Sequence, residues 1–163
     1  MPAGSGEASV TGGGRLTSGE LAVWRSLVET TAELRRILGS ELQQVELTPG
    51  DYQVLLALAE APGKYLRSAE LAAAIDWERS RLSHHLARME RRGLVARKDC
   101  ADDGRGAEVL LTAAGARAFR RATAPHLRSI KRHFAAALTP EQFAALAEIL
   151  EALRKHIARG GAR

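Results

Sequence analysis

From Ser18 onward, apolar residues recur at steps of mostly three and four: Leu21, Trp24, Leu27, Val28, Leu34, Leu38 and Leu42. That is the period of one helix face, sustained over about six turns. A helix this long outruns a small core, so its stripe needs a second surface, and a partner subunit is the simplest source. Thr48-Pro49-Gly50-Asp51 supplies an N-cap, a first-position proline and an acid near the positive helix end, ahead of Tyr52, Leu55, Leu56 and Leu58. Ala61-Pro62-Gly63 stops that helix, and Ser68-Ala69-Glu70-Leu71 opens a short one carrying Leu71, Ala72 and Ile75. Asp76 is placed to cap a further helix from about Trp77 to Arg92, ended by Gly93. Two short helices across a tight turn read as a helix-turn-helix.

Beyond Gly93, Leu94 to Cys100 and Ala107 to Leu111 are short apolar-leaning runs around Asp103-Gly104, a strong local hairpin signal. Thr112 then caps a helix to roughly Leu138 that contains Pro125, and Thr139-Pro140-Glu141-Gln142 is a capping box for a last helix. Phe143, Leu146, Ile149, Leu150, Leu153 and Ile157 form its stripe. Residues 1–14 hold five glycines and one charged side chain, Glu7, and read as a flexible tail.

The 163 residues suit one domain with a sizeable core. A single cysteine, Cys100, excludes a disulfide framework within the chain and fits a reducing, cytoplasmic setting. No apolar stretch approaches the ~18–20 residues of a membrane span, and the N-terminus lacks a basic-then-apolar export pattern, so no membrane partner is expected. The net charge of +5 makes an anionic partner plausible without choosing among nucleic acid, acidic lipid and acidic protein. With 20 Arg against 4 Lys and no Asn, arginine abundance reflects a composition bias, so only arginine placement counts. Placement is informative: residues 77–98 carry seven Arg or Lys against two acids, a local excess equal to the formal charge of the whole chain. At ~100° per residue, Leu82, Leu86 and Met89 share one side of that helix; Ser80, His84, Ala87 and Arg91 share the other, flanked by Arg81, Ser83 and Arg88. Small and hydrogen-bonding groups suit base edges in a major groove, with arginines beside them for phosphate or guanine. His85 falls on the inner side and reads as a packed histidine bonded to backbone.

The order of elements, with Asp103-Gly104-Arg105, Val109, Leu111-Thr112 and Gly115 after Arg81-Leu82-Ser83-His84-His85-Leu86, Met89-Glu90 and Gly93-Leu94-Val95, resembles the MarR family of dimeric winged-helix regulators over residues 18–158. The resemblance implies a mainly α fold with a small β-hairpin wing, a winged helix-turn-helix dimerising through its N- and C-terminal helices. The segments are then a tail at 1–14, an N-terminal dimerisation helix at 15–47, a DNA-binding lobe at 48–112, and connector and C-terminal dimerisation helices at 113–163. It implies a sequence-specific regulator of double-stranded DNA acting at an inverted-repeat operator, a repressor released by an aromatic or phenolic small molecule, and no enzyme. The implied DNA contacts are Ser68, Arg79, Ser80, Arg81, Ser83, His84, Arg88, Arg97, Asp103 and Arg105. Arg105, at the hairpin tip, suits a narrow minor groove, and the resemblance implies that Asp103 braces it, a turn-capping role being the alternative. Trp24, Tyr52, Leu55 and Phe119 are the candidates for the ligand pocket, although each residue type is also ordinary core.

Other uses of the fold remain open on the sequence: redox sensing at Cys100, metal sensing at His126, His133 and His156, or a winged helix used only for protein contacts. Acids beside Cys100 oppose thiol activation, and two histidines seven residues apart without nearby carboxylates or thiols make a poor metal site, so no metal or other cofactor is expected. No phosphate-binding glycine loop, His-Glu-x-x-His or Ser/His/Asp set points to catalysis.

Arg105→Ala should weaken operator binding by about 1–3 kcal/mol and flatten base preference at the operator flanks, with a smaller loss for Asp103→Ala. Quantitative gel shifts on flank-varied duplexes check both, and unchanged affinity at moderate salt would remove the hairpin tip from the DNA interface.

Overall fold

A computed structural model describes residues 15–99 and 107–160. The elements run α1 (Ser18–Gln43), α2 (Pro49–Glu60), β1 (Tyr65–Arg67), α3 (Ser68–Ala74), α4 (Arg79–Arg91), β2 (Val95–Asp99), β3 (Ala107–Leu111), α5 (Ala113–His133) and α6 (Pro140–Gly160). The chain divides into two compact units, the first ending at Glu33 and the second beginning at Leu34.

The second unit holds the core. Leu47, Val54, Leu55 and Leu58 pack with Leu71 and Ile75 of the α3 segment and with Leu82, Leu86 and Met89 of α4, closed by Val95, Val109 and Ala118. Each fully buried aliphatic side chain contributes ~1.5–3 kcal/mol, so Leu82, Leu86 and Met89 give the inner face of α4 a firm apolar hold on the body. The mainly α fold with its antiparallel hairpin agrees with the sequence reading. β2 and β3 pair with Arg97 opposite Val109, and a third strand absent from the sequence reading, β1, adds to the other edge of β3 with Leu66 opposite Val109. The three residues of β1, set between Pro62-Gly63 and Ser68, are too few to show alternation.

Local chemistry explains the helix ends. Three helical segments close with the backbone pattern in which a left-handed residue lets the following N–H reach back five residues. Glycine fills that position only after α4, where Gly93 has φ 70° and Leu94 N–H donates to Met89 O at 3.0 Å. Glu46 (φ 59°) and Asp76 (φ 53°) fill it after α1 and α3. Thr139 and Gln142 form the reciprocal cap expected for α6, with bonds of 2.9 and 3.2 Å. The helix around Pro125 is shorter than the pattern suggests: α5 ends at His133, and Phe134 (φ −121°, ψ −65°) leads into a single 3₁₀ turn.

Two apolar surfaces stay uncovered. In the first unit Val23, Trp24, Leu27 and Val28 are exposed, and in α6 of the second unit Phe143, Ile149, Leu150, Leu153 and Ile157 are exposed, Ile157 by 69%. No residue of α6 is buried.

Gly115 is required by close approach. The start of α5 is tied to the turn before β2 by Thr112, whose hydroxyl donates to Gly93 O at 2.7 Å and accepts from Gly115 N–H at 2.9 Å. A Cβ on Gly115 would lie 2.0 Å from the Leu94 carbonyl oxygen. Gly115→Ala should therefore lower stability by about 1–3 kcal/mol or more through forced backbone movement, read by chemical denaturation.

Candidate nucleic-acid interface

The site is built on α3, the turn after it, and α4. Ser68 Oγ donates to the Ala107 carbonyl at 2.9 Å, tying the start of α3 to β3. The sequence places Asp76 as the cap of the next helix; instead Asp76 closes α3. Its N–H donates to Ala73 O at 3.3 Å and Trp77 N–H to Ala72 O at 2.9 Å. Asp is among the few side chains that tolerate the left-handed conformation this closure needs, and that use takes it away from capping. α4 consequently begins at Arg79, with Glu78 at its N-cap making no side-chain cap bond.

Three faces of α4 follow. Leu82, Leu86 and Met89 point into the core. Ser80, His84 and Arg91 are exposed on the opposite side. Ser68, Arg79, Ser83 and Arg97 converge on one cleft of about 730 Å³ between α3, α4 and the sheet, with Leu82 and Leu86 among its walls. Arg97 is anchored there: its Nε and Nη2 donate to Glu90 Oε2 at 2.9 and 2.7 Å, and its backbone N–H donates to Oε1 at 3.1 Å. Those Arg97 bonds hold the Glu90 carboxyl below its ordinary pKa.

Arg81 and Arg88 lie on the remaining flank, against the N-terminus of α2. The Arg81 guanidinium sits 4.0 Å above the Trp77 ring, and Arg88 Nη2 donates to His85 Nδ1 at 2.9 Å. Because a guanidinium only donates, Nδ1 accepts, and the proton of the neutral imidazole is left on Nε2. That atom lies 3.0 Å from Asp51 Oδ1, a close contact off the ring's N–H axis. His85 is buried as its position on the helix predicts, but its partners are side chains, Asp51 and Arg88, rather than the backbone.

Asp51 is the centre of this flank. Its backbone N–H donates to Thr48 Oγ1 at 3.1 Å, while its Oδ2 accepts from Thr48 N–H at 2.9 Å and from Arg92 Nη1 at 2.7 Å. Arg92 also donates through Nη2 to the Glu46 carbonyl. Burial by itself would push this carboxyl up; the His85 contact, the Thr48 amide and the Arg92 guanidinium outweigh it and hold the group far below the usual carboxylate range. Gly50 makes room for the cluster, since a Cβ there would lie 2.9 Å from Trp77 Cη2 and 3.0 Å from His85 Cε1. The sequence marks Asp51 only as an acid in the first turn and does not single out Trp77.

A second cavity, of about 690 Å³, adjoins this flank, with Arg35, Tyr52, Gln53, Trp77, Arg81 and His126 among its walls. The Tyr52 ring meets those of His126 and Phe119 at a tilt, with centroids 4.5 and 5.3 Å apart and planes at 53° and 38°. His126 Nδ1 is buried without a hydrogen-bond partner among the described residues. Burial lowers the pKa of this imidazole against the opposing pull of Glu41. Of the four sequence candidates for a pocket, Tyr52 is in the wall and Phe119 is its half-buried neighbour. Leu55 is fully buried in the core, where apolar packing claims it, and Trp24 is exposed on the N-terminal unit. Asp103, Arg105 and Cys100 lie outside the described residues.

A helix-turn-helix whose second helix turns a polar, arginine-rich face outward, next to an antiparallel hairpin, is a winged helix-turn-helix, a DNA-binding class. The model of the MarR family matches residues 46–106. The transcriptional regulator HosA of Escherichia coli is 36% identical over 97 residues, 60% of this chain and 70% of that protein. Among solved structures, AbsC, a MarR family transcriptional regulator from Streptomyces coelicolor, superposes with a TM-score of 0.83 at 37% identity, covering 90% of this chain and 99% of AbsC. Sco3205, a MarR family transcriptional regulator from the same organism crystallised in complex with DNA, gives 0.81 at 38% identity over 88% of this chain and 91% of its own. The chain belongs to the MarR family of transcriptional regulators, which are DNA-binding proteins and not enzymes.

Asp51→Ala keeps the Thr48 cap but removes the carboxylate half of the capping box and leaves His85 and Arg92 without their shared acceptor, and should cost about 2–3 kcal/mol, discounted because Arg92 is 41% exposed and can turn to water. The folded pKa lies below the unfolded value of ~3.9, so the Asp51 contribution is present above about pH 5 and is lost as pH falls through 4 and below. Denaturation at pH 7 and at pH 3 should show a smaller gap between wild type and variant at the lower pH.

Proposed function

We propose that the chain is a homodimeric repressor that binds an inverted-repeat operator in double-stranded DNA and is released by a small aromatic ligand. The carrying observation is the surface of α4: its outer face is polar and exposed, and Arg79, Ser83 and Arg97 meet Ser68 in a cleft alongside. Ser80, Ser83 and His84 read base edges; Arg79, Arg81, Arg88 and Arg97 neutralise phosphates or reach guanine; Ser68 contacts the backbone at the start of α3. Arg105, braced by Asp103, enters the minor groove from the wing. Support for a DNA role comes from the likeness to Sco3205, which was crystallised with DNA.

The second copy covers the apolar stripes of the first and last helices, too extensive to be left in water. On this reading residues 15–47 and 113–163 carry dimerisation and connection, 48–112 form the DNA-binding lobe, and 1–14 are a tail. The protein acts in the cytoplasm, where its operator is. A two-fold axis sets the two α4 helices about one DNA turn apart, ~34–36 Å. A ligand that prefers a dimer of different separation weakens DNA binding by its differential affinity for that form. The cavity beside Tyr52 and Trp77 suits an aromatic acid: two ring faces for stacking, Arg35 and Arg81 for a carboxylate or phenolate, and the unpartnered His126 Nδ1 for a hydroxyl.

Binding-site selection from a random duplex pool tests the first half, with an inverted repeat of one-turn spacing as the expected result. Titration of the bound operator with phenol- and benzoate-type compounds tests the second. At least one should release the duplex, and Tyr52→Ala should blunt that release about tenfold while leaving operator affinity within about threefold. Enrichment of no sequence would oppose a specific DNA role.

A further inference from the structure

Trp77 stands in the turn between α3 and α4, outside both helices. Its indole is half-buried and is engaged at three points. One edge lies against Gly50, where only the missing Cβ leaves room for Cη2. His85 meets it edge-to-face with ring centroids 5.1 Å apart and planes at 87°. Arg81, four residues on and one turn into α4, lays its guanidinium over the ring at 4.0 Å. Gly50 and His85 therefore fix the ring, and the ring in turn fixes the arginine.

We propose that Trp77 is a positioning residue for DNA recognition: its indole holds the Arg81 guanidinium at the edge of the recognition face before DNA arrives. The proposal rests on the reading of Arg81 as a DNA contact. Stacking occupies the face of the guanidinium and leaves its in-plane N–H donors free for a phosphate or a guanine edge. An arginine held in this way loses less rotamer freedom on binding than one sweeping through water. Lysine at position 81 would keep the charge but lose the planar match to the ring.

The test uses the full-length chain, an operator obtained by selection, and a scrambled duplex at the same salt, with thermal midpoints recorded for every variant. Trp77→Leu keeps apolar bulk beside Gly50 and removes the π face; it should raise the operator Kd about two- to fivefold, the range of an exposed cation–π contact. Trp77→Phe should recover most of that loss. In an Arg81→Ala background, Trp77→Leu should add no further loss, because the two residues act as one unit. An equal loss with and without Arg81 would overturn the positioning role while leaving Arg81 as a DNA contact. Arg81→Ala binding the operator like wild type would overturn both. If Trp77→Leu fails to fold, Trp77→Phe compared in the two backgrounds decides the same question: a loss that persists without Arg81 refutes the proposal.

Discussion

The structure depends on one buried carboxylate. Asp51 caps the helix on which it stands, and the same two oxygens reach His85 in the middle of α4 and Arg92 just past its end. Core packing of Leu82, Leu86 and Met89 holds α4 down but is non-directional and tolerates small rotations about the helix axis. Two polar contacts about two turns apart remove that freedom. A buried ion pair adds little net stability compared with apolar packing, so its value here is geometric: the pair sets which residues of α4 face outward.

That constraint propagates outward along one flank. With His85 fixed by Asp51, Arg88 is fixed by His85, and Trp77 packs its edge on the same imidazole and takes Arg81 on its face. Arg81 and Trp77 are also wall residues of the cavity beside α2, so anything occupying that space meets the pair that orders this side of α4. On the opposite flank Glu90 does for Arg97 what Trp77 does for Arg81, with hydrogen bonds in place of a stack.

How much of this is legible in the sequence follows from how far apart the interacting residues lie. Signals carried within one turn or one hairpin read through correctly: the Thr48-Pro49 and Thr139-Pro140 caps, the Gly93 stop, the antiparallel pairing of the two short runs after Gly93, and the inner stripe Leu82, Leu86, Met89. Asp76 misleads because two local roles compete for the same residue type, and only tertiary geometry selects the left-handed one. His85 falls on the correct side of its helix, but its partner stands 34 positions earlier in the chain, and Arg92 lies 41 positions from the same carboxylate. No periodicity encodes such a meeting. Trp77 passes for the first residue of the next helix because a tryptophan there has no local signature; its meaning lies in Gly50, which looks like a helix-start glycine until the indole fills the space of its missing Cβ.

The central claim is that the outer face of α4, in a two-fold dimer, is the surface that reads DNA. A photo-crosslinker attached to His84→Cys, in a chain carrying Cys100→Ser, tests this on a selected operator. The expected result is adducts in two base-pair clusters related by symmetry and separated by about 10–10.5 base pairs. A single cluster would contradict the two-fold arrangement, and the absence of adducts from a complex that still binds would contradict the recognition role of this face.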